Sequence, residues 1–425
     1  MDHADDVTED GLNPDDDRVP PDLDAEPDAP PSDRPAGGWR RFIVAAYGPP
    51  VLSSIGYGAV LPLIALSALS LGASVSLSAL ITGLNGVATM VGDLPAGWIA
   101  TRLGEKRAII AACCWAACWL VVAFLAVNLV MLAVAVFCVG LSGAVFGLAR
   151  QTFITEATPL RLRARALSTL GGTQRIGYFV GPLAGSGIVA VWGLPAAYGF
   201  AAATSLLAGV VTLALPDLPA DVARRRAEKG PALWPVLRGN ARVYLVLGTG
   251  VATLSIARAT RQAILPLWCE SLGLTPSATS LVFAVSMGVD MSLFFLGGFI
   301  MDRFGRKWVA VPSMVVLGIG MVALGFAHAV AWVVVVAVVL GLGNGIGAGV
   351  VMTLGSDASP EVGRTKFLSG WRLVSDAGMT LGPVAIGGLT LLGGLIAATI
   401  TLGVFTWLGA AWLWHGITWA ARRRS

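Results

Sequence analysis

Between Arg41 and Arg422 the chain alternates long apolar stretches with short polar connections. Each apolar stretch runs for roughly 20 to 26 residues, which as a helix covers a hydrocarbon core of about 30 Å. The strands of a membrane β-barrel would alternate apolar and polar residues, and these stretches are continuously apolar. The pattern predicts twelve transmembrane helices, numbered here as spans 1 to 12, which begin near Phe42, Ser76, Ala108, Leu129, Leu167, Leu194, Val243, Ser277, Trp308, Ala331, Phe367 and Leu395.

Composition supports an all-α membrane protein. Hydrophobic residues make up 56% of the chain and charged residues only 13%, and the mean hydropathy is +0.76. Soluble domains are less apolar and carry about twice this share of charge. We therefore expect an integral, multi-pass protein that contacts membrane lipids.

The first 39 residues differ from the rest. They contain 13 of the 25 Asp and Glu residues, many prolines and almost no aromatic residues, a composition typical of disorder. They lack the basic start and apolar stretch of a signal peptide, so nothing predicts cleavage or secretion. The remaining chain has 27 basic and 12 acidic residues, and its net charge of +15 makes the membrane body strongly basic.

The positive charges occur in alternate connections. The opposite connections, such as "SLGASVSLS", "WGLPAAYG" and "LLGGLIA", contain no Lys or Arg. By the positive-inside rule both termini are cytoplasmic, and we expect a cell-membrane location. The basic connections include Arg102, Lys106, Arg107, Arg161, Arg163, Arg165, Arg224, Arg225, Arg226, Lys229, Arg303, Arg306, Lys307, Arg364 and Lys366.

Four motifs recur at an offset of 201 residues. Gly97 and Gly104 correspond to Gly298 and Gly305, and "EATP" at Glu156 corresponds to "DASP". Gly177, Gly181 and Pro182 correspond to Gly378, Gly382 and Pro383. A common offset indicates two tandem six-helix halves in the same orientation. We expect an acidic tail at 1–39, an N-terminal half at 40–216, a cytoplasmic linker at 217–242 and a C-terminal half at 243–425.

The connection after span 8, "GGFIMDRFGRKW", has a partial copy, "GWIATRLGEKRA", after span 2, in which Thr101 replaces the Asp. With the twelve spans, this motif resembles the major facilitator superfamily over about residues 40 to 420. The resemblance implies a gate in which Asp302 meets the positive end of a helix in the opposite half. The alternative is that the motif only fixes topology. The motif residues are Gly97, Arg102, Gly104, Gly298, Asp302, Arg303, Gly305, Arg306 and Lys307.

Span 5 carries "GYFVGPLAGSG", which resembles the Gly-Pro signature of drug/proton antiporters in that superfamily, although Ser168 stands where the longer pattern begins with glycine. Span 11 copies it as "GMTLGPVAIGG". Glycines four residues apart permit close helix packing, and a proline permits a bend; both interpretations remain open. The motif residues are Gly177, Gly181, Pro182, Gly185, Gly378, Gly382 and Pro383.

Charged residues inside spans are costly, at about 2.5 to 3.5 kcal/mol each at a helix centre, and so indicate function. Asp290 precedes Asp302 by 12 residues, which places it roughly 18 Å from the cytoplasmic face. Arg175 on span 5 lies at a comparable depth. The superfamily packs span 5 beside span 8, so the resemblance implies a pair between Arg175 and Asp290.

A second group of intramembrane charges is predicted on spans 2 and 11, which the superfamily also packs together. Asp93 lies on span 2, and Arg372 precedes Asp376 by one turn on span 11. Both groups would lie where the halves move against each other. We expect Asp290, Arg175, Asp376, Arg372 and Asp93 to couple transport to protons. The alternative for each group is a purely structural ion pair.

The candidate substrate contacts are Tyr57, Arg258, Arg261, Asn344 and Met352. Arg258 and Arg261 lie on one face of span 7, where they would either attract anionic substrates or extend to lipid headgroups. The family usually carries an Arg near the middle of span 4, linked to proton transfer. Here the corresponding stretch, "VFCVGLSGAVFG", contains none, which puts that coupling route in doubt.

The sequence contains no phosphate-binding loop or nucleophile motif, so an enzyme or an ATP-driven pump is unsupported. Cys113, Cys114, Cys118 and Cys138 lie in apolar stretches without His or acidic partners, so we expect no metal or cofactor. The leading hypothesis is a monomeric secondary transporter that exports amphipathic small molecules in exchange for protons and does not bind nucleic acid. The alternatives are an importer or facilitator of a small metabolite, and more remotely a transporter-derived sensor or scaffold.

Overall fold

The computed structural model describes residues 38–158, 162–215, 233–360 and 363–422. The predictions for the acidic tail up to residue 37, for linker residues 217–232 and for Arg161 concern residues outside these ranges, as does the side chain of Thr101. The described residues from Ile43 onward form one compact unit.

Spans 1 to 6 begin within about four residues of their predicted positions. Span 1 is made of two consecutive helices, because the chain is interrupted before Leu63. The helices are Gly38–Val60, Leu63–Ser70, Val75–Leu103, Glu105–Phe124, Leu129–Ala157, Arg163–Trp192 and Ala196–Leu213.

Spans 7 to 12 follow a short helix and include two interruptions. Span 7 starts with a π-helical turn, and span 10 is broken at Gly349, whose φ of 82° belongs to the left-handed region. The elements are Leu233–Gly239, Ala241–Val243, Tyr244–Gly248, Thr249–Ser271, Pro276–Phe304, Lys307–Leu324, Val330–Ile346, Val350–Ala358 and Arg364–Arg422.

Ten helices of the described residues are long and apolar enough to cross a membrane. Two facts reconcile this number with twelve spans. Arg163–Trp192 is 30 residues long but contains several arginines, so it is less apolar than its neighbours. The helix Arg364–Arg422 is divided by Gly394, which has non-helical angles of 77° and 176°, into spans 11 and 12. The all-α prediction is therefore confirmed, and the described helices are consistent with twelve spans.

The turns after spans 2 and 8 have the same geometry. Gly104 has a φ of 79° and its amide donates to Ala100, while Gly305 has a φ of 92° and its amide donates to Met301. Both require the left-handed region that glycine adopts without strain. We call the side of the protein with these two turns the basic face, and the side with the turns at Gly193 and Gly273 the apolar face.

Repeated packing accompanies the sequence repeat. Gly177 on span 5 lies against Ser54 on span 1. Gly378 on span 11 lies against Ser255 on span 7, and each of these residues follows its counterpart by 201 positions. The glycines of the Gly-Pro motif thus bring the backbones of paired helices into contact, as the packing interpretation predicts.

Spans 1 to 6 and spans 7 to 12, which we call the two halves, contact each other mainly where span 2 packs against span 11 and span 5 packs against span 8. Near the apolar face, the hydroxyls of Ser186 and Ser277 are 2.9 Å apart, and Ser76 donates to the carbonyl of Gly387. Nearer the middle, Gly288 on span 8 packs against the ring of Phe179 on span 5. These contacts hold the halves together from the apolar face to the membrane centre.

Candidate functional site

Five polar residues from four spans meet at the centre of the bundle, and we call them the Asp290 cluster: Arg175, Arg258, Arg261, Asp290 and Asn344. Asp290 is only 5% exposed. Its Oδ1 accepts a hydrogen bond from Arg175 across the interface between the halves. Its Oδ2 lies 3.4 Å from Arg261 and also accepts from the Asn344 amide. Arg175 and Asp290, which were predicted to be neighbours, are therefore in contact, and Arg261 and Asn344 also bind Asp290.

Small residues on span 10 create this arrangement. A Cβ added at Gly345 would lie 2.7 Å from the Asp290 carbonyl oxygen, and one added at Gly341 would meet Ser286 in the same way. Spans 8 and 10 therefore approach closely enough for Asn344 to reach Asp290. The sequence indicated a polar residue at Asn344 but gave no reason to place it beside Asp290.

The two arginines of span 7 point into the bundle. Arg261 is 1% exposed, and besides Asp290 it donates to Ser286 at 3.0 Å. Arg258 donates to the carbonyl of Gly347, next to the break in span 10. Both guanidinium groups bind polar partners inside the protein, so neither reaches for lipid headgroups.

A second cluster joins the halves between spans 2 and 11. Arg372 donates to Asp93 at 3.2 Å and to Asp376 at 3.4 Å. The carboxylates of Asp93 and Asp376 are close enough to interact with each other. These side chains are 20% to 39% exposed, whereas the side chain of Asp290, taken without its backbone, is 7% exposed. Two carboxylates thus share one guanidinium at a site that is only partly buried.

A cavity of about 250 Å³ lies inside the N-terminal half. Spans 1 to 6 line it, mainly with apolar side chains and several polar ones. Tyr57 donates to Asn85 at 3.0 Å, and the rings of Tyr57 and Tyr178 lie 6.0 Å apart. Arg150 also lines the cavity, with its guanidinium 5.3 Å from the ring of Phe146.

Of the predicted substrate contacts, Tyr57 alone lines this cavity. Asn344 belongs to the Asp290 cluster, and Met352 is 76% exposed. Asn85, Gln174 and Tyr178 line the cavity but were not predicted. A polar residue inside an apolar stretch was the available signal for each, but the sequence did not show which face of the helix would be interior.

The gate motif lies at the basic face. Asp302 is exposed and forms no ion pair with any described residue. Arg306 binds Asp357 of the "DASP" motif at 2.7 Å, within the same half. Lys307 lies 3.7 Å from the ring centre of Trp414. The basic residues thus anchor the turn to spans 10 and 12, whereas the Asp302 carboxylate has no ion-pair partner among the described residues.

Comparison with known proteins identifies the fold. The sequence model of the Major Facilitator Superfamily matches residues 51–261 and 247–424. A search of curated proteins finds no match.

Three solved structures illustrate the likeness. One is a POT family transporter in complex with a thioalcohol-conjugated peptide, with a TM-score of 0.74, 13% identity and coverage of 87% of this chain and 95% of that one. Another is a bacterial homolog of the human lysosomal transporter Spinster, in an inward-facing and unoccupied conformation. Its TM-score is 0.73 and its sequence identity 16%, and the match covers 89% of this chain and 96% of that one. The third is a D-xylose–proton symporter, with a TM-score of 0.71, 15% identity and coverage of 88% of this chain and 97% of that one. At these identities the likeness concerns the fold alone.

Proposed function

Because the chain belongs to the major facilitator superfamily, and is therefore a transporter, we propose that it moves a small organic molecule by alternating access and couples this movement to protons. The two charged clusters at the interface between the halves support the proposal. Charged groups inside a membrane bundle are typical of ion and proton pathways. Each cluster contains a carboxylate whose partner lies in the other half, so rocking of the halves would change its surroundings.

The observation that carries the proposal is the bridge from Arg372 to both Asp93 and Asp376. One guanidinium cannot neutralise two carboxylates, so a proton on either Asp would compensate the remaining charge. Arg372 and Asp376 lie on span 11, whereas Asp93 lies on span 2. Separation of these spans would leave Asp93 without its cation and favour its protonated form. Closure would release the proton again.

The protonation of Asp290 should depend less on the movement of the halves than that of Asp93. Separation of spans 5 and 8 would remove Arg175, but Arg261 lies in the same half as Asp290 and would stay beside it. A remaining guanidinium favours the charged carboxylate. Asp93 and Asp376 are therefore the first candidates for the proton site, and Asp290 is the second.

Two directions of transport are compatible with this cycle. The Gly-Pro motif of span 5 resembles that of drug/proton antiporters and favours export of amphipathic compounds. Among the similar structures are a transporter bound to a peptide derivative and a proton symporter for D-xylose, and they favour uptake of a small metabolite. The sign of the accompanying proton movement distinguishes the two.

The experiment uses proteoliposomes that contain the purified protein and a pH-sensitive dye. Ethidium, trialanine and D-xylose are added outside in turn, with protein-free liposomes as the control. Acidification of the lumen indicates symport, and alkalinisation indicates antiport. If a labelled compound is transported at the same rate with and without a pH gradient, and no compound changes the lumenal pH, proton coupling is refuted.

A further inference from the structure

The Asp290 cluster contains more positive than negative charge. It has three guanidinium groups and one carboxylate, a formal charge of +2 among groups that interact electrostatically with one another. Arg261 and Asp290 are almost completely buried. Buried charges are normally paired, because desolvation of an unpaired ion is costly. The cluster therefore lacks a negative partner.

Arg258 is the guanidinium without a carboxylate. Among the described residues it binds only the neutral carbonyl of Gly347. The Nε atoms of both Arg258 and Arg261 are buried and have no hydrogen-bond acceptor. Buried donors are nearly always satisfied in folded proteins. Unused donors and excess positive charge thus occur in the same place.

We propose that Arg258 and Arg175 bind an oxyanion, a carboxylate or phosphate group, on the transported molecule. The inference deepens the proposed function and rests on it. Guanidinium groups match both oxyanions through paired, charge-assisted hydrogen bonds. A neutral substrate group would leave the excess charge uncompensated, and a cation would add to it.

The proposed oxyanion site lies at the interface between the halves, because each half contributes one of the two arginines. Arg175 lies on span 5 in the N-terminal half and Arg258 on span 7 in the C-terminal half. The Arg175 side chain is 21% exposed, so a ligand has access to it. An oxyanion held by both residues would stabilise the conformation in which spans 5 and 7 are close, and only such differential binding shifts a conformational equilibrium.

The surroundings of Arg175 indicate the rest of the molecule. Its sequence neighbour Gln174 and the nearby Tyr178 line the 250 Å³ cavity, whose walls are mainly apolar. An acidic head at the arginines would place an attached apolar body toward this cavity. The expected substrate is a small amphipathic acid.

The test measures thermal unfolding of the purified full-length protein in detergent. Sodium benzoate or phenyl phosphate replaces chloride at constant ionic strength, and benzamide serves as a neutral compound of the same size. We expect at least one of the anions at 20 mM to raise the unfolding midpoint by about 2 °C or more, because a ligand of the folded state stabilises it. Benzamide should have no such effect. The anion that stabilises more identifies the class of oxyanion.

Variants connect the effect to the site. Arg258→Gln should abolish stabilisation by the anion, whereas Arg238→Gln, at an exposed position on the basic face, should retain it. Should Arg258→Gln not fold, Arg258→Lys keeps the charge but loses the planar fork, and we expect it to respond more weakly. Equal shifts with benzoate, phenyl phosphate and benzamide, or none, would overturn the inference. Stabilisation by an anion without any proton-coupled transport would instead refute the proposed function alone.

Discussion

Arg372 on span 11 donates a hydrogen bond of 3.2 Å to Asp93 on span 2, a residue 279 positions earlier in the chain. The same guanidinium contacts Asp376, one turn further along its own helix. One contact therefore crosses the interface between the halves and the other does not. Movement of the halves would break the first and preserve the second, which makes Asp93 the carboxylate whose charge depends most on conformation.

We expect Asp93→Asn to abolish stimulation of transport by a pH gradient. The amide cannot take up a proton, and it leaves Arg372 paired with Asp376 alone. Exchange of labelled for unlabelled substrate, which needs no net proton movement, should continue. Glu270→Gln, near the apolar face, is the matched control and should behave like the parent. An Asp93→Asn protein that still responds fully to the gradient would show that the proton binds elsewhere.

Asp290→Asn should reduce both transport and stability. It would leave three guanidinium groups without any carboxylate, and breaking a buried ion pair costs about 3 to 5 kcal/mol. We expect a lower thermal unfolding midpoint and a lower transport rate. Exchange of the charges, Arg175→Asp with Asp290→Arg, should not restore activity, because it would place a guanidinium beside Arg261. Full activity in the exchanged protein would mean that Arg261 contributes little.

Sequence reasoning located these clusters but not their full composition. Counting back from Asp302 gave the depth of Asp290, and the family's helix pairing gave Arg175 as its neighbour; both depend only on order along the chain. The contact of Arg261 with Asp290 depends on the rotation of span 7 about its axis. In a span that is apolar on all sides, no periodicity defines that rotation.

The same limit explains the unpredicted cavity. Its lining residues come from six spans, and the apolar pattern of those spans does not distinguish a side facing lipid from one facing the interior. The helix starts were predicted well because polar connections define them. The bends at Gly349 and in the first span were not predicted, since glycine and proline are frequent throughout membrane helices.

Gly181→Ala should destabilise the protein, because a Cβ at this position would lie 2.7 Å from the backbone nitrogen of Ala59 on span 1. Backbone cannot move aside as a flexible side chain does, and overpacking typically costs about 1 to 3 kcal/mol. Gly187→Ala, on the same helix, has no atom within 4 Å of its added Cβ and should be neutral. Thermal unfolding in detergent measures both. Equal stability of the two variants would contradict tight packing of spans 1 and 5.

The predicted orientation is tested with two cysteines in a variant whose five native cysteines are replaced. Leu392, 87% exposed at the turn between spans 11 and 12, should react with a membrane-impermeant thiol reagent added to intact cells. Arg238→Cys, on the basic face, should react only after the cells are opened, because the positive-inside rule predicts that the basic connections face the cytoplasm. Labelling of residue 238 in intact cells would reverse the topology.

Asp302→Asn should slow transport without lowering stability. Asp302 is exposed and has no ion pair among the described residues, so its charge stabilises nothing in this conformation. If it meets a helix N-terminus when the basic face closes, its loss would weaken only the closed state, by about 0.3 to 1 kcal/mol or somewhat more in a buried site. The initial transport rate and the unfolding midpoint are measured together.

Two further variants separate a gate from a topology signal. Arg306→Gln removes the pair with Asp357, but both side chains are partly exposed and such pairs contribute about 0 to 1 kcal/mol, so a small loss of stability is expected. Thr101→Asp adds the missing charge to the first copy of the motif and should be tolerated. The gate predicts that Asp302→Asn slows transport and that Thr101→Asp does not. Equal, mild effects of Asp302→Asn and Thr101→Asp would show instead that the motif only fixes how the chain crosses the membrane.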